Sequence, residues 1–259
     1  MDKTLLRRDS LASIRPPGGG GETLSLAEQV ATRLAELIVK GEYEPGIRVH
    51  EMAVSEMFRV SRGPVREALR ILEREGLITI VPRRGAIVTK LSIEEVYDIF
   101  EIRAVLIGLA ARRVAEMKDE ALIDELRTRV QNLEHHASDD GATSPDAYVA
   151  GVQELSLFFS ASTGSERLTS MIYSLFHQTL RYSRLGLATP ERRSQSLNNW
   201  RQLMKCVEKG DADGAESTAR RLVIDSKIQA MKMLSDPNRG EAQVSAGADL
   251  HSFKLKAKR

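Results

Sequence analysis

Cysteine and aromatic residues are scarce in this chain. Its 259 residues include one cysteine, Cys206, and only 5% aromatic residues. A single thiol cannot form an internal disulfide, which indicates a reducing compartment. The sequence also offers no Cys/His pair of the kind that would indicate nucleophilic catalysis. Because aromatic rings are so few, the hydrophobic cores must be built mainly from aliphatic side chains.

Long apolar runs and a strong net charge are also missing. No apolar stretch approaches the ~20 residues that a membrane span needs, and Arg7 and Arg8 are not followed by the apolar core of a secretory signal. We therefore expect a cytoplasmic protein that does not contact a membrane. The formal net charge is only +2, so any electrostatic argument about partners must be local.

Changes in sequence pattern divide the chain into four parts. Residues 1–24 include two prolines followed by four glycines, which predicts a disordered arm. Residues 25–91 combine short helices with two short β-rich runs, and residues 92–234 are patterned as successive helices. Residues 235–259 form a weakly patterned basic tail, for which a solvated end is a simpler interpretation than a nucleic-acid clamp.

The N-terminal part predicts three helices, at about 26–39, 50–58 and 62–75. Apolar side chains at helical spacing occupy one face of the third helix, whereas Arg62, Arg66 and Arg70 are spaced by four on another face. A row of guanidinium groups could bind guanine edges or phosphates in a major groove. An ordinary solvated face is the alternative interpretation of this row.

The residues after the third helix favour DNA binding. Residues 77–81 and 86–89 are predicted strands, and the turn between them carries Arg83 and Arg84. A basic hairpin tip directly after a helix-turn-helix is typical of a wing that reaches phosphate or a minor groove. Eight basic and three acidic residues lie between positions 59 and 90, a local excess of five positive charges.

Several strings in this region resemble the GntR family of bacterial regulators. The most specific is Val-Ser-Arg-Gly-Pro-Val-Arg-Glu-Ala-Leu at 60–69, and the others are Pro-Gly-Ile-Arg at 45–48, Leu-Glu-Arg-Glu-Gly-Leu-Ile at 72–78 and Pro-Arg-Arg-Gly at 82–85. The resemblance implies a winged helix-turn-helix of three helices and a two-stranded wing. Together with the arginine row, it gives these candidate DNA-binding residues: Arg48, Ser61, Arg62, Gly63, Pro64, Arg66, Arg70, Arg83, Arg84 and Gly85.

The second part predicts an all-helical bundle that could hold a central site. Six helices are expected, at about 94–117, 122–136, 147–162, 166–185, 190–209 and 211–234. Arg103 falls on the apolar stripe of the first of these, where an unpaired charge is costly. Either an acid from another helix pairs with Arg103, or Arg103 binds the carboxylate of a ligand in a cavity.

The order of these helices, and strings such as Phe-Glu-Ile-Arg at 100–103 and Ser-Thr-Gly-Ser at 162–165, resemble the FCD domain of FadR-type GntR regulators. Many FCD domains hold a divalent metal with one Asp and three His. The corresponding positions here are Val152, Ser156, Trp200 and about Leu222, none of which is a suitable ligand. We therefore expect no metal and no cofactor, as in the metal-free relative that binds a fatty acyl-CoA.

The resemblance implies a homodimer that binds a palindromic operator in double-stranded DNA. We expect a repressor, controlled by a small-molecule effector, an acidic metabolite, bound in the helical bundle. The weaker candidates for effector binding are Arg103, Ser156, Phe159, Arg181, Tyr182, Asn199 and Trp200.

An enzyme and an architectural DNA-binding protein are the alternatives to a ligand-controlled regulator. An enzyme is disfavoured, because the chain has neither a phosphate-binding glycine loop nor a nucleophile motif and is much shorter than the fusions of GntR heads to aminotransferase-like domains. An architectural DNA-binding protein without an effector is not excluded by the sequence.

Overall fold

The structure is a computed structural model that describes residues 24–137 and 145–234. The predicted tail, and all of the predicted arm except Leu24, lie outside the described residues. The described chain is mainly helical, with one small antiparallel sheet near its N-terminal end. None of its described helices combines the length and apolar character needed to cross a membrane.

The N-terminal elements form a winged helix-turn-helix, as expected from the sequence. They follow the order α1 (Leu26–Lys40), β1 (Arg48–Val49), α2 (Glu51–Phe58), α3 (Arg62–Arg74), β2 (Ile78–Val81) and β3 (Gly85–Val88). Aliphatic side chains from all three helices and the sheet form one core, in which Leu34, Val54 and Leu72 are fully buried. The scarcity of aromatic residues is therefore matched by an aliphatic core.

The sheet contains the two predicted wing strands, β2 and β3, and a third strand, β1, that the sequence did not indicate. Its order is β1-β3-β2, and Arg48 and Val49 of β1 pair with Ile87 and Ala86 of β3. A strand of two residues is too short to show the alternation that identifies a strand in a sequence. This third strand attaches Arg48 to the wing.

The remaining helices form the all-helical domain, as predicted. They are α4 (Ile93–Met117), α5 (Glu120–His135), α6 (Pro145–Ser162), α7 (Glu166–Gly186), α8 (Pro190–Lys209) and α9 (Ala212–Leu234). Helix α4 packs along α9 and also contacts α6, α7 and α8. Phe100, Ile172, Phe176 and Leu203 are among the side chains buried in the core that results.

The caps explain why these helices begin and end where the sequence indicated. Ser92 and Glu95 form the predicted capping box at the start of α4, with the hydroxyl of Ser92 accepting from the backbone N–H of Glu95. Gly210 ends α8 at a φ of 67°, a left-handed conformation that glycine adopts without strain. Asp211 then accepts from the backbone N–H of Gly214 at 2.9 Å, which caps α9.

The two parts of the chain contact each other beyond their covalent link. Arg184 of α7 donates to the backbone carbonyl of Val39 in α1 at 3.3 Å. A Cβ atom added to Gly76 would lie only 2.6 Å from the side chain of Gln178. The turn between α3 and β2 therefore approaches α7 closely. These contacts place α7 against the DNA-binding unit.

Candidate functional site

The arginine row of α3 lies in solvent, as predicted for a recognition helix. Val65, Ala68, Leu69 and Leu72 are buried, which turns the opposite face outward. The side chains of Arg62, Arg66 and Arg70 are 60%, 62% and 71% exposed. A face with this much exposed positive charge can contact phosphates and guanine edges.

Glu51 at the start of α2 holds part of this row in place. Its Oε2 atom lies 2.9 Å from Nε of Arg66 and 3.9 Å from Nε of Arg62. Exposed ion pairs of this kind contribute little to stability. They do orient the guanidinium groups, and either arginine could exchange Glu51 for a base or a phosphate.

The first turn of α3 is open to a partner. Ser61 occupies the N-cap position as predicted, but its hydroxyl makes no capping hydrogen bond. Pro64 sits in this turn, where the missing N–H removes no helical bond. Apart from its chain neighbours and the nearby backbone of α3 itself, no described residue would have an atom within 4 Å of a Cβ atom added to Gly63. The protein itself therefore leaves free space around Gly63 that a DNA backbone could fill.

The wing tip carries the second group of candidate residues. Arg83 and Arg84 are exposed in the turn between β2 and β3. Arg83 and Gly85 have φ values of 64° and 81°, so the tip uses two left-handed residues. The guanidinium group of Arg48 is near this tip, since a Cβ atom on Gly85 would lie 3.5 Å from its Nε and Nη2 atoms. Arg48, Arg83 and Arg84 thus form one basic group at the wing.

A small central cavity of about 30 Å³ lies inside the helical domain. Arg103, Ser156 and Trp200, three of the predicted effector residues, line it together with Phe176 and Ser183. A space of this size admits about one or two water molecules and no metabolite. Any organic ligand would have to displace side chains in order to enter.

Arg103 is the most unusual group in this cavity. It is 4% exposed, lies 4.6 Å from the ring centroid of Phe176, and donates to the hydroxyls of Thr179 at 2.7 Å and Ser183 at 3.3 Å. Its Nε atom has no hydrogen-bond partner in the described part of the chain. Burial lowers the pKa of Arg103 to about 9, which still leaves it charged at neutral pH.

Among the described residues, no acidic side chain neutralises the charge of Arg103. Within the described residues its hydrogen-bond partners are hydroxyl groups, and no carboxylate forms an ion pair with it. Of the two interpretations drawn from the sequence, the described structure does not show the buried ion pair. An uncompensated buried cation is costly, and an anionic ligand would remove that cost.

The positions that correspond to metal ligands in many FCD domains converge on the same cavity. Val152, Ser156, Trp200 and Leu222 all line it, which supports the alignment made from the sequence. Their chemistry does not fit a metal ion. The hydroxyl of Ser156 donates to the carbonyl of Val152 at 2.8 Å, and Nε1 of Trp200 is an unpartnered N–H donor. The absence of a metal nevertheless stays a prediction.

The other predicted effector residues are distributed differently. Phe159 packs against Trp200, with ring centroids 5.9 Å apart, and so supports the cavity wall. Asn199 donates to Asp225 at 3.0 Å and does not line the cavity. Arg181 and Tyr182 line a small space at the junction with the DNA-binding unit. The structure therefore does not bring these three residues to the cavity beside Arg103, and their role in effector binding stays a prediction.

The residues that do contact Arg103 were missed by the sequence reasoning. Thr179 and Ser183 are four residues apart on α7, and Phe176 lies one turn before Thr179. This spacing places all three on the face of α7 turned toward α4, whereas Arg181 and Tyr182 are rotated away from it. Two hydroxyl residues at helical spacing on an apolar stripe were the available signal.

Family comparisons agree with the two-part architecture. Residues 26–88 match the model described as bacterial regulatory proteins, gntR family, and residues 98–225 match the FCD domain. The chain belongs to the GntR family. It is a DNA-binding transcriptional regulator with an N-terminal GntR helix-turn-helix and a C-terminal FCD domain, as in the FadR-like subfamily, and this family is regulatory and not enzymatic.

Individual relatives support this assignment. An uncharacterised HTH-type transcriptional regulator of Bacillus subtilis, YdhC, is 29% identical over 192 residues, which cover 73% of this chain and 83% of that protein. The HTH-type transcriptional repressor RspR of Escherichia coli is 39% identical over 111 residues, or 43% of this chain and 47% of RspR. The solved structure of E. coli McbR/YncC superposes with a TM-score of 0.69 at 19% identity, covering 83% of this chain and all of that one, which shows a shared fold.

Proposed function

We propose that this GntR regulator is a homodimeric repressor whose affinity for operator DNA is controlled by a small acidic metabolite bound beside Arg103. The proposal rests mainly on the buried guanidinium group of Arg103, which has hydroxyl partners and no carboxylate partner among the described residues. The repressor role is supported by the similarity to RspR, which is a repressor. We place this activity in the cytoplasm.

The groups around Arg103 favour an anionic effector. Nε of Arg103 and Nε1 of Trp200 are buried donors for which the described residues supply no acceptor, and the hydroxyls of Ser156 and Ser183 line the same cavity. A carboxylate supplies acceptors for such donors and forms charge-assisted bonds with a guanidinium group. An effector with a carboxylate and a compact apolar body fits both the donors and the aromatic walls.

The small volume of the cavity links effector binding to a conformational change. Because about 30 Å³ cannot hold a metabolite, the effector would bind a state in which α4, α7 or α8 has moved. A ligand that prefers this expanded state shifts the equilibrium toward it. The change in DNA affinity then equals the difference in effector affinity between the two states.

Helix α4 provides a direct path to the DNA-binding unit. It begins at Ile93, a few residues after the end of β3 in the wing. Arg103 lies about 15 Å along this helix from its first residue, at 1.5 Å per residue. A shift of α4 at Arg103 would therefore displace the base of the wing, and in a dimer it would change the spacing of the two recognition helices.

We assign the DNA contacts to the two basic groups described above. Arg62 and Arg66 are the proposed base-reading residues, while Arg48, Arg70, Arg83 and Arg84 would contact phosphates or a minor groove. Ser61, Gly63 and Pro64 would allow close approach of the DNA backbone to the start of α3. The domain limits of 25–91 and 92–234 remain part of this proposal.

The DNA contacts are tested with the full chain and the Arg66→Ala variant. Sites are first selected from random duplex DNA, and affinity for a selected site and for unrelated DNA is then measured by gel shift. Arg66→Ala should lower affinity for the selected site by about 10- to 100-fold, as expected for loss of a bidentate base contact. Affinity for unrelated DNA should fall much less.

Arg167→Ala is the matched control, since Arg167 is an exposed arginine at the start of α7. It should bind the selected site like the original protein. Unchanged discrimination between selected and unrelated DNA in the Arg66→Ala variant would overturn the assignment. Circular dichroism and size-exclusion chromatography check that both variants are folded and have the same oligomeric state.

The effector is tested by adding small carboxylates and fatty acyl-CoA to the complex of the protein with a selected site. At least one acidic compound should weaken the complex, and the Arg103→Met variant should bind the same DNA without responding. A complex that no acidic compound changes would favour an architectural DNA-binding protein. The small volume of the central cavity is the observation that keeps this second function open.

A further inference from the structure

A second and much larger cavity lies between the two domains. It has a volume of about 400 Å³, within the range of small-molecule sites, and it is separate from the central cavity beside Arg103. Helices α1 and α3 of the DNA-binding unit form one wall, and helices α6 and α7 of the FCD domain form the other. A ligand here would contact both domains at once.

Two buried acceptors in this cavity find no hydrogen-bond donor within the described residues. Gln153 of α6 is 2% exposed and Glu36 of α1 is 6% exposed, and in the part of the chain that the structure describes the Oε1 atom of each has no hydrogen-bond partner. The other carboxylate oxygen of Glu36 binds Arg33 at 2.8 Å. Buried acceptors without donors cost free energy, so a ligand that donates hydrogen bonds would stabilise this arrangement.

The charge in the cavity is also unbalanced. Glu75, directly after α3, is partly buried beside His177 of α7, with 3.8 Å between its Oε2 atom and Nδ1 of the ring. Burial lowers the pKa of His177 to about 4, so the ring is neutral at neutral pH and does not neutralise the carboxylate. Burial likewise raises the pKa of Glu75 to about 7, although Arg74 lowers it. A cation near Glu75 would restore its ionised form.

The rest of the lining is suited to a short apolar body. Ala35, Val39, Ile71 and Leu180 line the cavity together with the ring of Tyr173. Titratable groups face the cavity from both domains. They are two acids on α1 (Glu28 and Glu36), a base and an acid at the end of α3 (Arg74 and Glu75), and a phenol and an imidazole on α7 (Tyr173 and His177).

We propose that this interdomain cavity binds a small organic ammonium compound, with the cationic group next to Glu75, its N–H groups donating to Gln153 or Glu36, and its body against the apolar wall. Such a ligand would hold the end of α3 against α6 and α7. Its regulatory consequence, a change in DNA affinity, rests on the proposed function. Binding itself does not, because it requires neither DNA nor the central cavity.

The test is calorimetric titration of the full chain, in the absence of DNA, with n-hexylammonium chloride. The neutral 1-hexanol and the anionic sodium hexanoate have similar bodies and serve as ligand controls. We expect saturable binding of hexylammonium that exceeds binding of either control by at least about tenfold, the scale of one charge-assisted hydrogen bond. Glu75→Gln should weaken hexylammonium binding by at least about tenfold.

Glu67→Gln is the matched variant control, since Glu67 lies on α3, the helix that ends just before Glu75, but is exposed outside the cavity. It should bind hexylammonium like the original protein. Glu36→Gln offers a second disruptive variant if Glu75→Gln proves unfolded by circular dichroism. Binding of hexylammonium that is absent, that is matched by 1-hexanol, or that survives both disruptive substitutions would overturn the proposal.

The outcomes separate this proposal from the regulatory one. A chain that binds its selected DNA but not hexylammonium would overturn the ammonium site alone. A chain that binds hexylammonium through Glu75 but shows no response of the DNA complex to it would keep the site and remove its regulatory consequence.

Discussion

At the scale of single residues, the proposals depend on a few charged groups that the fold buries. Arg103 and Glu75 have opposite charges, and each lies where its charge is costly. The hydrogen-bond partners of Arg103 among the described residues are hydroxyl groups, and Glu75 has a neutral imidazole at 3.8 Å. Ionisable groups perturbed in this way are candidates for functional sites.

Replacing Arg103 should separate stability from regulation. Arg103→Met removes an uncompensated buried charge while keeping an apolar side chain of similar length, and Thr179 still donates to the carbonyl of Leu175 at 2.8 Å. We expect the free energy of unfolding to change by less than about 1 kcal/mol, or to rise. Chemical denaturation measures this, and a loss of several kcal/mol would show that Arg103 has a structural role.

Replacing Glu75 should change how stability depends on pH. Because burial raises the pKa of Glu75 from 4.5 to about 7, the unfolded state releases this proton at lower pH than the folded state does. The contribution of Glu75 to the free energy of unfolding is therefore fully present below pH 4.5 and is lost as pH rises through 7. The loss amounts to up to about 3 kcal/mol. The pKa of His177 shifts downward, so its effect has the opposite sign and appears as pH falls from 6.5 toward 4.

The measurement is the difference in unfolding free energy between Glu75→Gln and the original protein, determined between pH 5 and pH 8. This difference should become more favourable to the variant as pH rises. A difference that does not vary with pH would contradict the raised pKa of Glu75. Comparing the two proteins at each pH removes the contributions of the other titrating groups that they share.

At the scale of elements, the start of α3 combines a good helical position with an open surface. Gly63 lies in the first turn, where no described residue apart from its chain neighbours and the nearby α3 backbone has an atom within 4 Å of an added Cβ. Gly63→Ala should raise the free energy of unfolding by up to about 1 kcal/mol, since alanine has the higher helix propensity. It should also lower DNA affinity, because the added methyl group occupies the space proposed for the DNA backbone.

Thermal unfolding and gel shifts on a selected site check these two opposite effects. Gly164 also has open space around it, but it cannot serve as a control glycine, because its φ of 66° makes any substitution there strained. We expect the Gly63→Ala variant to show both effects together, a higher free energy of unfolding and a lower affinity for DNA. A variant that is more stable and binds DNA equally well would remove Gly63 from the proposed interface.

The caps and apolar stripes explain why element boundaries were predictable. Ser92 with Glu95, and Gly210 with Asp211, are local signals whose meaning does not depend on distant residues. Strand β1 has no such signal, because Arg48 and Val49 form a strand only by pairing with Ile87 and Ala86. A short strand held by partners far along the chain cannot be recognised from its own residues.

At the scale of the whole molecule, the FCD domain of this regulator should be stable without a metal. The four positions that carry ligands in many relatives hold Val152, Ser156, Trp200 and Leu222, which together line the central cavity. We therefore expect that chelators leave the melting temperature unchanged, and that the protein, purified without a histidine tag, contains little bound metal. Elemental analysis and thermal unfolding with and without EDTA measure this.

A near-stoichiometric metal content, or a fall of several degrees in melting temperature with EDTA, would contradict this prediction. It would also direct the search for an effector away from Arg103 and toward carboxylates held by the metal. The buried N–H of Trp200 has no partner among the described residues and cannot act as a metal ligand. The indole at this position therefore favours a domain without a metal.

The sequence by itself determined the family, the order of the helices, the wing and the outward arginine row of α3. These depend on local periodicity, caps and short motifs, all of which involve residues close together in the chain. The same reasoning pointed to the four positions that correspond to metal ligands in many FCD domains, because each was counted from a nearby turn.

Only the tertiary structure decided which distant residues share a space. It placed Arg103 with Thr179, Ser183 and Trp200 and placed Arg181 and Tyr182 at the domain junction. It also created the interdomain cavity around Glu75, Gln153 and His177. The physical reason is that such proximity depends on how helices rotate and pack against one another, and no local sequence pattern specifies that.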